Sequence, residues 1–463
     1  MSTGELRVTN PYTEQLELTA PMIALTEVDA VVHRAREAFR GWRETPIDER
    51  IALCMRFLDA FRAMGDEIAA DTSRQMGKPL KQAQGEINRL CERAEYMIAI
   101  AKETLADEYV PEIQGFKRYI RHEPLGVVFD IAAWNYPLLI PVNVIVPAVL
   151  AGNSVILKHS SRTPLCGQAF EDAFKKAGAP DNLVQHVVCE HSVAEAFVKH
   201  AGVDYVSFTG STRGGHDMVR AASGRFINIG LELGGKDPAY VCADADFRNA
   251  VENCVDGTFY NAGQSCCAIE RIYVDKIIYK DFVEAYVEET KKYIKLGDPK
   301  NPETTLGPMA MRPVGAFLAK QVDEAIRAGG KLVVSGSDFK VPKQGWFATP
   351  AVVADAPQTC SLMQEESFGP VIGITPVEND AEAIRYMNDS DYGLTASIWT
   401  QDIDRAIRVG EQIETGTFFM NRCDYCDPGL PWTGVKDTGR GASLSKYGFH
   451  QLTRLKSMHL RLP

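Results

Sequence analysis

Between residues 126 and 211 the chain repeats one pattern four times. GVVFDIAA (126–133), NSVILKHS (153–160), NLVQHVV (182–188) and DYVSFTGS (204–211) are β-rich runs separated by helical segments around Ile140, Phe170, Phe197 and Met218. Strands that alternate with helices at this spacing return to the sheet through a crossover, so the sheet is parallel and the crossovers right-handed. The class is therefore α/β, with a nucleotide-binding architecture. After Gly235 the rhythm resumes: RIYVD (271–275), LVVSG (332–336), VIGITPV (371–377), LTASIWT (394–400) and TFFMN (417–421) read as strands, and 281–293, 314–328 and 380–388 as helices. Two such units suit 463 residues, which are too many for one core. No Ser/Gly-rich linker separates them, so the boundary near Leu233–Asp237 rests on the motif there.

The segment ahead of the alternation reads as helical. Thr26 is the expected cap of a helix whose apolar positions Val28, Val31, Val32, Ala35 and Phe39 recur at three and four residues. A second helix follows Pro46, with Leu53, Phe57, Leu58 and Phe61 on one face. A third, 86–102, carries Glu86, Arg89, Glu92 and Arg93, which read as a solvated face. Residues 107–122, turning around Gly115, read as a projecting hairpin, and LKSMHLR (455–461) as a short terminal strand.

Charge and cysteine usage exclude several classes. A net charge of -11 gives no concentrated basic face for nucleic acid. The longest apolar run, 136–150, is broken by Pro141, Asn143 and Pro147 and is too short to span a bilayer, so no membrane association is expected. MSTGELRVTN lacks a basic stretch followed by an apolar one, so no signal peptide is expected. Eleven cysteines, an odd number spread over a long chain, read as reduced thiols in the cytoplasm. Cys423 and Cys426 form a C-x-x-C without a second pair, and no metal site is expected.

Three stretches carry the chemistry: WNYP (134–137), LELGGKDP (231–238) and FYNAGQSCCAIER (259–271). Cys266, set after a Gly-Gln turn, is placed like a nucleophile, although most intracellular cysteines are inert small hydrophobes. Glu232 lies between two leucines, a position rarely buried unless paired or functional. FTGSTRGG (208–215) lies at a strand-to-helix junction whose free N–H groups suit a pyrophosphate, yet the usual G-x-G-x-x-G fingerprint is absent.

From about Arg43 to the C-terminus these motifs, in order and spacing, resemble the aldehyde dehydrogenase superfamily. The resemblance implies two Rossmann-like α/β domains and a small β oligomerisation arm. It places a dinucleotide-binding domain at 1–106 and 123–234, a catalytic domain at 235–427, and the arm and C-terminal tail at 107–122 and 428–463. It makes Cys266 the nucleophile, Asn135 and the Cys266 N–H the oxyanion donors, and Glu232 the base that activates water, with Lys236 either beside that base or in a structural ion pair. The cofactor residues it implies are Trp134, Lys158, Ser161, Gly210, Ser211, Gly215, Leu233, Glu366 and Phe368. NAD-preferring relatives carry a glutamate where Ser161 stands, and a carboxylate there repels a 2′-phosphate. Ser161 removes that repulsion and Lys158 with Arg162 adds positive charge, so NADP is expected to be accepted, with NAD not excluded.

The substrate tunnel implied by the resemblance is lined by Tyr136, Leu139, Tyr260, Ser265, Asp424, Tyr425 and Trp432, with Glu86 and Arg89 as further candidates. Three small-molecule aldehyde classes stay open. The aromatics could hold an apolar tail; with Asp424 and Asp427 they could hold an aminoaldehyde ammonium, although aspartates in such a loop ordinarily face solvent. Succinic semialdehyde would need a cation, for which Arg422 and Arg440 are the candidates. The expected reaction is NAD(P)-dependent oxidation of the aldehyde to the acid by a homodimer or homotetramer. The alternatives are an esterase-like thiol hydrolase and a silent structural or binding member of the family.

Overall fold

A computed structural model describes residues 4–312 and 314–463. Met1–Thr3, part of the stretch read above for a signal peptide, lie outside the described residues. Both parallel sheets expected from the sequence are present. The smaller has six strands in the order Gly439–Arg440, Asn228–Glu232, Tyr205–Thr209, Val127–Ile131, Ser154–Lys158, Val184–His186. All neighbours are parallel except Gly439–Arg440, which pairs antiparallel with the end of Asn228–Glu232. The larger has seven: Lys331–Val334, Ala351–Ala354, Val371–Val377, Ile269–Asp275, Asp237–Val241, Thr395–Trp399, Thr417–Met420. There only the edge strand Lys331–Val334 runs antiparallel.

Each central strand is apolar on both faces because helices cover both. Val128, Val155 and Leu157 enter one core with the buried helix Leu139–Ala151, whereas Val127, Phe129, Ile131 and Ile156 enter the core on the opposite face. This is the period-two alternation of a strand read into two interiors. The larger sheet has its own core, including Tyr240, Tyr273, Phe282, Tyr286 and Trp399. No helix of the described residues is long and apolar enough to cross a membrane.

Several local expectations change. The chain opens with a hairpin, Glu5–Thr9 with Leu16–Pro21, before its first helix. Thr26 does not cap: it lies inside the 3₁₀ turn Leu25–Glu27, and the Glu27 carboxylate instead accepts the Ala24 N–H at 2.7 Å. Asn228–Glu232, Asp237–Val241, Ala351–Ala354 and the two-residue Gly439–Arg440 are strands of the two sheets absent from the sequence reading. The projecting hairpin and terminal strand are one sheet: Thr453–Arg461 pairs antiparallel with all of Phe116–Pro124, which pairs in turn with Glu108–Tyr109. Leu455, Leu460 and Leu462 are exposed on or beside it.

Candidate active site

The site lies where Glu232 ends its strand in the smaller sheet and Cys266 precedes Ile269–Asp275 in the larger. Asn261, Ala262 and Gly263 run with φ of 53°, 57° and 69°, so the chain turns left-handed immediately before the loop that carries Cys266. Only glycine fits the last position, where a Cβ would lie 2.4 Å from the Gly369 carbonyl oxygen. Gln264 fixes the turn, since its Nε2 donates to the Asn261 carbonyl (3.1 Å) and its Oε1 accepts the Ala310 N–H (2.9 Å). Asn261 Nδ2 donates to the Asn135 carbonyl (3.1 Å), tying this loop to WNYP. The Gly-Gln pair is therefore a structural device that delivers a half-buried Cys266 thiol to a cavity of about 340 Å³.

The same cavity is lined by Glu232, Leu233, Tyr136, Leu139, Tyr260, Asp424, Tyr425 and Trp432. Burial pushes the Glu232 carboxyl above its ordinary value, opposed by the Ser443 hydroxyl that donates to it at 2.6 Å. Ser443 is held by reciprocal main-chain bonds to Trp432, both 2.9 Å, so the C-terminal segment positions the acid on the strand. Asn135 and Ser265 are buried and not part of the lining. Asn135 presents an amide that engages no other side chain among the described residues, and the Cys266 N–H is likewise unpaired there. Ser265 lies 3.5 Å from both Cys267 Sγ and Asp424 Oδ1.

Asp424 does not face solvent as its loop suggested. Its Oδ1 accepts the Cys267 thiol at 2.8 Å, and burial pushes its carboxyl up to about 7. Asp427 is exposed. Glu86 also departs from the solvated-face reading: it is 4% exposed and paired with Lys78 at 2.6 Å. Glu86 Oε1 accepts the N–H groups of Leu138 (2.9 Å) and Leu139 (3.3 Å), capping Leu139–Ala151, whose own N-cap Leu138 has no side-chain acceptor. Lys78 Nζ donates to the Asn135 carbonyl (2.7 Å) and stands 4.3 Å over the Tyr136 ring. Lys78 escaped the sequence reading; a lysine eight residues before a glutamate, across a helix start, leaves no periodic signal.

The cations of the cavity are differently committed. Lys78 is neutralised by Glu86 and Arg89 by Glu92. Arg93 reaches only neutral acceptors, the Leu139 carbonyl (3.4 Å) and Asn143 Oδ1 (3.3 Å), through one nitrogen. Its signal was the spacing of Glu86, Arg89 and Arg93, which puts all three on one helix face. Neither arginine named from the sequence serves: Arg422 stacks on Tyr425 at 3.8 Å on the exposed side, and Arg440 donates to the Ile229 carbonyl behind Glu232.

The strand-to-helix turn at 208–215 suits a dinucleotide. Ser211 caps the helix Thr212–Ala222 by accepting the Gly214 N–H at 3.2 Å, and at Gly215 a Cβ would fall 2.8 Å from Leu233, closing the approach. Gly210 donates its N–H to the Glu232 carbonyl (3.1 Å), so this turn and the acid share one frame. Lys158 ends its strand, and burial lowers its pKa. Ser161 is exposed nearby in sequence, whereas Arg162 donates to the Thr9 carbonyl and stacks over Trp346 at 5.2 Å, so its guanidinium is turned toward the N-terminal hairpin. Glu366 accepts the Gly235 N–H at 3.1 Å, and burial carries its carboxyl up to about 8. Phe368, with φ of 51°, sets its ring edge-on to Trp134 at 5.6 Å. A cradle that a Cβ would fill, a helix N-terminus, a lysine and a half-buried carboxylate fit a nicotinamide dinucleotide. Lys236 is a structural partner, 2.7 Å from Glu270.

Fold and site together define an aldehyde dehydrogenase. The chain belongs to that family, described as the aldehyde dehydrogenase family, whose model matches residues 1–458. It is an NAD(P)-dependent oxidoreductase acting on aldehydes. It is similar to the NADP-dependent succinate-semialdehyde dehydrogenase of Deinococcus radiodurans (34% identity over 96% of this chain and 93% of that one). It is also similar to that of Mycobacterium avium (35%, over 97% and 95%). Among solved structures, the betaine aldehyde dehydrogenase of Staphylococcus aureus in complex with NAD+ superposes with a TM-score of 0.94 at 29% identity, over 99% of this chain and 92% of that one.

Proposed function

We propose that this enzyme oxidises a short aldehyde bearing a distal carboxylate, of which succinic semialdehyde is the first candidate, and that it accepts NADP. The observation that carries the reading is the shared cavity: a reachable thiol, a half-buried carboxyl and one guanidinium, Arg93, with no ion-pair partner among the described residues face the same space. Cys266 adds to the carbonyl carbon, and the oxyanion is held by the Asn135 amide and the Cys266 N–H. Lys158, the 208–215 turn, Glu366 and Phe368 would hold the dinucleotide, which would supply the hydride acceptor needed for the thiohemiacetal to become a thioester. Glu232 removes a proton from water as that water attacks the thioester, with Ser443 holding the carboxylate in place. The acid leaves and the thiol is restored.

Arg93 is the anchor for the substrate carboxylate. The cavity's acids are already engaged: Asp424 by the Cys267 thiol, Glu232 by the Ser443 hydroxyl, Glu92 by Arg89 and Asp256 by the Tyr293 hydroxyl at 2.9 Å. NADP acceptance rests on Ser161 and on Lys158 alone, since Arg162 is turned away. The relatives named as NADP-dependent succinate-semialdehyde dehydrogenases support both parts. We assign dinucleotide binding to 1–106 and 123–234 and catalysis to 235–427. The arm at 107–122 and 428–463 carries self-association in the cytoplasm through Thr453–Arg461, which otherwise leaves an open apolar edge, while Trp432 and Ser443 of the same tail serve the active site.

The test is the initial rate with NAD and NADP against succinic semialdehyde and butanal. A charged hydrogen bond contributes about 1.5–3 kcal/mol, so Arg93→Gln lowers kcat/KM for succinic semialdehyde by roughly 10- to 150-fold and leaves butanal within a few-fold. Equal losses on both substrates refute the anchor. Turnover surviving in Cys266→Ala refutes the nucleophile.

A further inference from the structure

One buried carboxylate near the site has no part in the chemistry above. Glu270 stands at the start of Ile269–Asp275, three residues beyond Cys267, and is 3% exposed. Its Oε2 accepts from Lys236 Nζ (2.7 Å) and from the Ser367 N–H (2.8 Å), and its Oε1 accepts the Phe368 N–H (2.8 Å). Lys236 Nζ also donates to Ser367 Oγ at 3.0 Å. Two successive main-chain N–H groups thus converge on one charged acceptor, the concave arrangement that binds anions. Phe368 needs such support, because a positive φ is an outlier conformation for an aromatic residue.

The turn is gripped from its other end as well. Gly235 donates its N–H to Glu366, and a Cβ on Gly234 would lie 2.3 Å from that carboxylate. Residues 366–368 are therefore set by 234–236 on one side and by Glu270 on the other. Glu270 sits on the strand that the nucleophile loop enters, so the distance between Cys266 and the Glu366–Phe368 turn is held across one side chain.

We propose that Glu270 is a positioning residue for hydride transfer: by clamping the Ser367 and Phe368 N–H groups it fixes the turn that presents Glu366 and Phe368 relative to Cys266. The proposal rests on the reading that Glu366 and Phe368 contact the nicotinamide half of the cofactor. Glu366→Gln and Phe368→Ala test that reading separately, through NADP affinity alone.

Glu270→Gln keeps an acceptor for one N–H but not the charge opposite Lys236. We expect NADP affinity, read by quenching of tryptophan fluorescence, to fall tenfold or more. The deuterium isotope effect on kcat with a 1-deuterated aldehyde should rise as hydride transfer becomes slower. Hydrolysis of p-nitrophenyl acetate without cofactor, which needs Cys266 but not the turn, should stay within about twofold. If that variant does not fold, Lys236→Met with Glu270→Leu removes both charges and is read in the same way. Normal NADP affinity and an unchanged isotope effect in a folded variant overturn the proposal, leaving a purely structural ion pair. Equal losses of ester hydrolysis and oxidation also overturn it, because Glu270 would then only support the nucleophile loop.

Discussion

Lys78→Met is the most informative perturbation, because it separates what holds the fold from what aligns the site. Lys78 and Glu86 are 2% and 4% exposed and meet at 2.6 Å. Without Lys78, the Glu86 carboxylate keeps only two main-chain donors, the N–H groups of Leu138 and Leu139. The Asn135 carbonyl keeps only Asn261 Nδ2. Removing one member of a buried pair strands a charge and costs about 3–5 kcal/mol, whereas replacing both members by apolar groups is often neutral. Lys78→Met should therefore lower the unfolding free energy by about 3–5 kcal/mol, and Lys78→Met with Glu86→Leu should recover most of it. Activity should not follow. In the double variant WNYP has lost its Lys78 donor, and the helix behind it has lost its Glu86 cap. A misplacement of about 1 Å in a positioned group costs on the order of 100-fold. Urea unfolding by tryptophan fluorescence gives the first quantity and kcat with saturating NADP the second. A single variant that loses less than about 1 kcal/mol, or a double variant with wild-type kcat, would show that this pair does not anchor the oxyanion side of the site.

Two further expectations concern protons. Glu232 must be ionised to accept a proton and burial holds its pKa high, so kcat should fall on acidification at a pH above the ordinary carboxylate range. Ser443→Ala should move that acid limb upward, and Glu232→Gln should abolish it, leaving a single-turnover burst of NADPH. Asp424, carried up to about 7, binds its proton more tightly folded than unfolded. Its contribution to stability is therefore full below the unfolded value of about 3.9 and is lost as pH rises toward 7. Asp424→Asn should thus gain on wild type between pH 4 and 7 in urea unfolding, by a few kcal/mol at most; parallel curves would refute the shift.

The α/β class and the strands of both sheets with strong β-rich runs were legible, because a strand buried on both faces leaves an apolar run in any context. The four missed strands of these sheets are short or interrupted by residues that serve other ends: Glu232 at a strand end, Asp237 and Pro238 opening another, a short run after Pro350, and the two residues Gly439–Arg440. Cys266, Glu232 and Asn135 were singled out because the short motifs that hold them resemble those of a known family, and the structure brings Cys266 and Glu232 to one cavity. The sequence could not say which charges were spent. Arg162, Arg422 and Arg440 have the composition of anion-binding residues, yet none of them lines the cavity. Arg93, read as solvated, lines it without an ion-pair partner among the described residues.

Local order along the chain therefore determined the class of fold, since helix period, strand period and turn chemistry act over a few residues, and the order of its motifs carried the resemblance that points to Cys266 and Glu232. Tertiary structure decided the environment of each charge: Lys78 beside Glu86, Glu270 beneath the Phe368 turn, Ser443 on Glu232 and Asp424 on Cys267. These partners lie between 8 and 211 residues apart in sequence. Desolvation and pairing depend on distance in space, and no periodicity encodes that.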